Sequence, residues 1–160
     1  MAIIKDAAKR KKIVDLLIQA YWMEIETVMS YFANSVNLDG VRAEEITKSL
    51  AADVTEELAH AQQFGHRIKQ LYGKVPGSKE FKATQAYLQP PKDSTDVAAV
   101  IRGVIEAEKG AIEQYLKIIN AAEGVDPVTA DMVTTILADE EEHMRTFEGF
   151  LKEYEKDGRK

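Results

Sequence analysis

The chain has 160 residues, a formal net charge of −6 and no cysteine, which suits a single domain over residues 1–160 with a substantial buried core. The negative balance gives no general attraction to nucleic acid or anionic lipid and does not repel cations. Without cysteine there are no disulfides, thiolate metal sites or iron–sulfur clusters, and a cytoplasmic protein is expected.

Lys5, Lys9, Arg10, Lys11 and Lys12 lead directly into a periodic segment, with no apolar core of a signal peptide before them. No uncharged stretch is long enough to span a bilayer. The first helix is predicted over about 6–36, with an inner stripe of Ile13, Leu17, Ala20, Glu24, Val28, Tyr31 and Ser35 at 3–4 spacing. Asn37-Leu38-Asp39-Gly40 stops it. The second is predicted over about 42–72, through Leu50, Val54, Glu57, Ala61, Phe64, Ile68 and Leu71, and Gly73 and Pro76-Gly77 end it. An irregular crossover over about 73–94 holds a short helical turn around Phe81 to Tyr87, and Pro90-Pro91 breaks it. A Ser94-Thr95-Asp96 cap opens the third helix, about 95–122, with Val97, Ile101, Val104, Glu108, Ala111, Tyr115 and Ile118 inward. Asp126 as N-cap and Pro127 at the first helical position open the fourth, about 127–155, through Val133, Ile136, Glu140, His143, Phe147 and Phe150. Two short connections and one long one predict an all-α bundle of two antiparallel hairpins joined by a crossover.

Each stripe carries a carboxylate near its middle: Glu24, Glu57, Glu108 and Glu140. Four buried carboxylates at one level repel unless cations neutralise them. Glu-x-x-His occurs twice, ending at His60 and at His143, each time on the second helix of a hairpin. Residues three apart on a helix share a face, so each copy aims a carboxylate and an imidazole at one point. With three histidines and seventeen glutamates one copy is weak evidence; two at core positions are not. The expected ligand set for two metal ions is Glu57 and Glu140 as bridges, His60 and His143 as terminal nitrogens, and Glu24 and Glu108 as outer carboxylates. Oxygen donors with two imidazoles suit iron or manganese, and zinc less specifically. The competitors are Glu26, off the stripe, and Glu106, about 200° around the helix from Glu108. Without metal the same residues form a buried acid–histidine network. Tyr31 and Tyr115 each follow a single Glu by seven residues. Each is first a packing residue, and each can donate to a ligand or quench an oxidant; Tyr31 is the stronger candidate for a catalytic part. His66 is expected at the surface, Glu141 and Glu142 in solvent or on a metal relay, and Trp22 at the core edge or a subunit contact.

Glu24-x6-Tyr31-Phe32, Glu57-x-x-His60-Ala61, Glu108-Lys109 and Ile136-Leu137-x-Asp139-Glu140-Glu141-x-His143 resemble the metal-binding segments of bacterioferritins and their ferritin-like relatives. The resemblance implies a ferroxidase centre on Glu24, Glu57, His60, Glu108, Glu140 and His143, with Tyr31 in the family's tyrosine position. Lys79-Glu80-Phe81, Ala86-Tyr87-Leu88 and Ser94-Thr95-Asp96-Val97, ahead of Glu108-Lys109-Gly110-Ala111-Ile112, are similar to the Dps-like ferritins, which combine such a site with a smaller cage. The cysteine pair common in that group is missing. Leu58 stands where bacterioferritins carry a haem-ligating Met, so no haem is expected. The chain ends soon after the fourth helix, leaving no room for the fifth helix of 24-subunit cages. A dodecamer is thus expected, ahead of a dimer or an encapsulated decamer. The implied activity is oxidation of Fe(II) by O2 or H2O2 for iron storage and oxidative-stress protection. The alternatives are a rubrerythrin-type peroxidase or manganese catalase, a diiron oxidase without storage, and a nucleoid protein binding DNA through the basic N-terminal segment.

Overall fold

The computed structural model describes residues 4–156. Four helices carry the architecture: α1 (Ala7–Asn37), α2 (Glu44–Gln70), α3 (Val97–Ala122) and α4 (Pro127–Lys156). Among the described residues there is no strand. α1 packs along α2 and α3 along α4, and α1 also crosses α3, so two hairpins close into one bundle. This is the all-α, crossover-linked ferritin-like topology expected from the loop lengths. The residues beyond Lys156, where a fifth helix would begin, lie outside the described part.

The helix ends follow local chemistry. Asp6 caps α1 by accepting from the amides of Ala8 and Lys9, and Asp96 caps α3 through the amide of Ala99. Asp126 receives the amide of Thr129 at 3.2 Å ahead of Pro127, satisfying a donor that helix geometry leaves free. At the end of α2 the left-handed residue is Tyr72, with φ of 66°, rather than Gly73. Gly73 is needed for space instead: a Cβ there would lie 2.7 Å from Val14 Cγ1.

The crossover departs from its expected form. Single 3-10 turns occupy Ser78–Glu80 and Ala86–Leu88, and the segment between them is not helical. The Glu26 carboxylate accepts the amide of Thr84 at 2.8 Å and that of Gln85 at 2.7 Å, holding the backbone open there. Asn34 Nδ2 reaches the carbonyl of Leu88 at 2.8 Å. The chain then crosses α3 at Gly103, where a Cβ would stand 2.5 Å from the Tyr87 carbonyl oxygen; only glycine permits that approach.

These contacts also shift the buried face of α1. Past Glu24 it continues through Thr27, Tyr31 and Asn34, while Val28 and Ser35 are only half buried. A straight helix drifts by about 20° per heptad against a strict seven-residue repeat, and the crossover meets the polar residues that the drift brings inward.

The apolar core falls into two clusters. One holds Ile13, Leu17, Phe64, Tyr115, Ile118, Val133 and Ile136; the other holds Tyr31, Ile46, Leu50, Leu88, Ile101, Val104 and Phe147. Between them lies a buried polar layer.

Candidate metal centre

That layer contains Glu24, Glu57, His60, Glu108, Glu140 and His143, none more than 9% exposed. The structure brings together all six residues expected from the sequence. Their ligand atoms form two overlapping sets: Glu24, Glu57, His60 and Glu140, and Glu57, Glu108, Glu140 and His143. Within each set one atom per residue lies within 4.8 Å of every other, and Glu57 and Glu140 belong to both sets. Glu106 is exposed and takes no part, while Glu26 is buried away from the layer as the anchor of the crossover. His66 is exposed. Trp22 packs at the edge of α1, 5.1 Å from the Tyr21 ring and 5.2 Å from Phe81.

Both imidazoles point Nδ1 inward. His60 Nδ1 stands 3.3 Å from Glu57 and 3.0 Å from Glu140. His143 Nδ1 stands 3.3 Å from Glu57 Oε1 and 3.4 Å from Glu140 Oε2. Their outward nitrogens find carboxylates as well: His60 Nε2 lies 3.2 Å from Asp139, and His143 Nε2 lies 3.2 Å from Glu56. Such outer partners fix ring orientation and leave the inner nitrogen free to ligate. The Tyr31 hydroxyl donates to Glu108, and the Tyr115 hydroxyl donates to Glu140 over 3.4 Å. Glu56 and Asp139 carry no periodic signal; only the meeting of α2 with α4 gives them this role.

Charge in the layer is strongly coupled. Burial pushes Glu24 well above the usual carboxylate range, and the neighbouring Glu57 and Glu140 add to it. Glu108 is raised for the same reasons: burial first, then Glu140 and Glu57. Burial alone would raise Glu57, but the imidazoles of His143 and His60 beside it outweigh burial and bring the carboxyl down to about 2. Burial would lower His60, yet Glu140 and Glu57 raise it to about 10. In the same way Glu140 and Glu57 raise His143 against its burial, to about 12. The metal-free layer therefore favours the protonated forms of Glu24, Glu108 and both imidazoles.

Protons do not complete the layer. Glu24 Oε1, Glu57 Oε1, Glu140 Oε2 and His143 Nδ1 are buried without a hydrogen bond. His143 Nδ1 is close enough to two carboxylates for ion pairing, but the angles do not make hydrogen bonds. An unmet buried polar atom costs about 1–3 kcal/mol, and four of them belong to this one layer. Of the described buried side-chain atoms, Asn34 Oδ1 alone is left unmet elsewhere. Hard oxygen donors with one imidazole per set are the chemistry of a pair of iron or manganese ions. The residues present fit that pair: two adjoining sites, sharing two carboxylates.

The sequence agrees with this geometry. Residues 14–156 match the Ferritin family profile, the ferritin-like domain, and the chain belongs to that family. It is 31% identical over 146 residues to a DNA protection during starvation protein of Pyrococcus furiosus, covering 88% of this chain and 77% of that one. It is 26% identical over 141 residues to the bacterioferritin of Desulfovibrio desulfuricans, covering 88% and 74%. Among solved structures it is similar to the dodecameric thioferritin of Bacteroides fragilis, with a TM-score of 0.82, 25% identity and 93% and 89% of the two chains covered. A ferritin-like diiron-carboxylate protein of Bacillus anthracis shares the fold at a TM-score of 0.78 and 19% identity, over 89% and 97% of the chains. Among the described residues no helix is long and apolar enough to cross a membrane.

Proposed function

We propose that this protein oxidises Fe(II) at a dinuclear centre and serves iron storage and detoxification. The observation that carries the reading is the pair of ligand sets sharing Glu57 and Glu140, with four polar atoms of these residues left unmet. Fe(II) is the substrate: two ions give up one electron each, which with two protons reduce H2O2 to two waters or O2 to H2O2. A metal pair held here supplies the redox chemistry; the protein supplies geometry, charge and protons.

In this reading Glu57 and Glu140 each offer one oxygen to either site. His60 and Glu24 complete one set, and His143 and Glu108 the other. As each imidazole gives up its Nδ1 proton, Asp139 or Glu56 still holds the Nε2–H and fixes the ring. The protons displaced from Glu24, Glu108 and the imidazoles are released beside the place where the oxidant is reduced. Tyr31, hydrogen-bonded to Glu108, is placed to orient that carboxylate and to donate an electron when an oxidant outlasts the iron.

The similarity to a dodecameric relative supports a homo-oligomeric cage of twelve chains, with a dimer or an encapsulated decamer as other assemblies. The cysteine-free composition supports a cytoplasmic location. DNA binding is the second reading, favoured by the name of the archaeal relative. Against it, Lys11 is paired with Asp15 at 2.6 Å and the Arg10 guanidinium is engaged by the Ile4 carbonyl at 3.1 Å. Stopped-flow mixing of the iron-loaded protein with O2 and with H2O2, beside particle mass by light scattering, tests the main reading. Fast oxidation in a large particle is expected. A monomer that stores no ferric product would contradict storage, and no oxidation with either oxidant would contradict the activity.

A further inference from the structure

Each apolar cluster presents one fully buried tyrosine to the polar layer, Tyr31 from one side and Tyr115 from the other. The Tyr115 ring is held against Phe64, with centroids 5.4 Å apart, and its hydroxyl meets Glu140 Oε1. That oxygen also lies 3.0 Å from His60 Nδ1, while Oε2 turns toward His143 Nδ1 at 3.4 Å and carries no hydrogen bond. Glu140 is therefore stretched between the two ligand sets, one oxygen to each.

We propose that Tyr115 is a positioning residue that sets the plane of the Glu140 carboxylate so that it can serve both metal sites at once. The proposal rests on the dinuclear reading above. The terminal torsion of a glutamate is broad and weakly directed, so a bridge needs an outside hold. In the metal-free layer Oε1 accepts from the hydroxyl of Tyr115 and is ion-paired with Nδ1 of His60. When Nδ1 ligates a metal it can no longer donate, and Tyr115 is the donor that stays. Glu57 differs. Its oxygens face the two imidazoles at 3.3 Å each, and no tyrosine hydroxyl donates to it among the described hydrogen bonds. The two shared carboxylates are thus unequal: Glu140 receives a tyrosine hydroxyl and Glu57 does not.

The test is a Co(II) titration of metal-free protein, followed by d–d absorbance, on wild type and Tyr115→Phe. Wild type should take two Co(II) per chain. The variant should keep its helical signal and bind the first Co(II) as wild type does. It should bind the second roughly 5- to 10-fold more weakly, the effect of losing one hydrogen bond. Mere loss of packing would weaken both steps or neither. A folded variant whose second step stays within twofold of wild type overturns the proposal. A wild type that fails to take two Co(II) overturns the dinuclear reading, and the proposal with it. A second measurement needs no substitution at Tyr115: Zn(II) added to wild type carrying 13Cζ-tyrosine should shift two buried tyrosine signals. If the one that moves is the signal missing from Tyr31→Phe and no other moves, the proposal fails.

Discussion

Two buried polar clusters link α2 to α4, and they are built on opposite principles. At one end of the bundle Arg67 donates to Asp126 at 2.6 Å, to Thr129 at 2.8 Å and to Gln70 at 2.9 Å, and the Thr129 hydroxyl donates to Asp126. None of its side-chain atoms is left unmet. In the middle of the bundle six acids and imidazoles crowd together with four atoms unmet. The first cluster is complete without anything from outside, so its role is to lock the two hairpins in register. The second is left incomplete by the protein's own groups, in a layer of carboxylates and imidazoles that suits cations. Burial and charge are similar in the two; the closure of the hydrogen-bond pattern separates structure from function.

Substitutions should divide along the same line. The largest effect is expected for His143→Ala, which removes a direct ligand. Outer partners of metal ligands typically cost 10- to 100-fold, so Fe(II) oxidation should fall by at least about 100-fold in stopped-flow assays while the fold persists. Arg67→Met should do the reverse. It leaves Asp126 buried and unpaired, a loss of about 3–5 kcal/mol and so of about 10 °C in Tm, with two irons still bound per chain. A thermal scan of chelated protein beside an iron titration would show whether the two effects separate.

The pH dependence of the two clusters should also differ in sign. In the metal-free protein the raised pKa values of His60 and His143 stabilise the fold most fully below about 6.5, the ordinary imidazole value. That contribution is lost as pH rises through about 10 and about 12. Metal binding runs the other way, since both imidazoles, Glu24 and Glu108 must lose protons: affinity should rise with pH, with protons released into weakly buffered solution. Burial would raise Asp126, but Arg67 and Thr129 hold it below the usual carboxylate range. Its contribution is present above the ordinary aspartate value and is lost in acid. Urea unfolding of metal-free protein across pH checks both slopes.

The smallest effect on stability is expected for Glu24→Leu. Glu24 Oε1 is unmet and its carboxyl is held neutral by burial, so an apolar replacement should leave Tm of the metal-free protein unchanged or slightly raised. The same change should cut bound iron from two per chain toward one. A marked loss of stability would show that the centre is a structural network like that around Arg67.

The fold and the gathering of six residues in one inner layer were legible in the sequence because both rest on helical period. Apolar stripes at 3–4 spacing placed the helices, and a carboxylate recurring at the middle of each stripe placed the centre. What depended on another element was not legible. Glu26 lies off the inner stripe by its spacing, yet it is buried because the crossover brings the amides of Thr84 and Gln85 to it. Thr27 and Asn34 replaced Val28 and Ser35 on the buried face for the same reason. Nothing in the spacing marks Arg67 as buried; its partner Asp126 is the residue just ahead of α4. Asp139, half-exposed at 39%, gains its part only through His60 on the opposite hairpin.

A dinuclear centre is defined by one number: how many irons each chain binds there. Anaerobic Fe(II) titration of metal-free protein, followed by circular dichroism of the Fe(II) bands, should saturate at two per chain. Glu57→Ala should lower that number, because its carboxylate belongs to both sets. Saturation at one or none in the wild-type protein, or an unchanged two in Glu57→Ala, would contradict it.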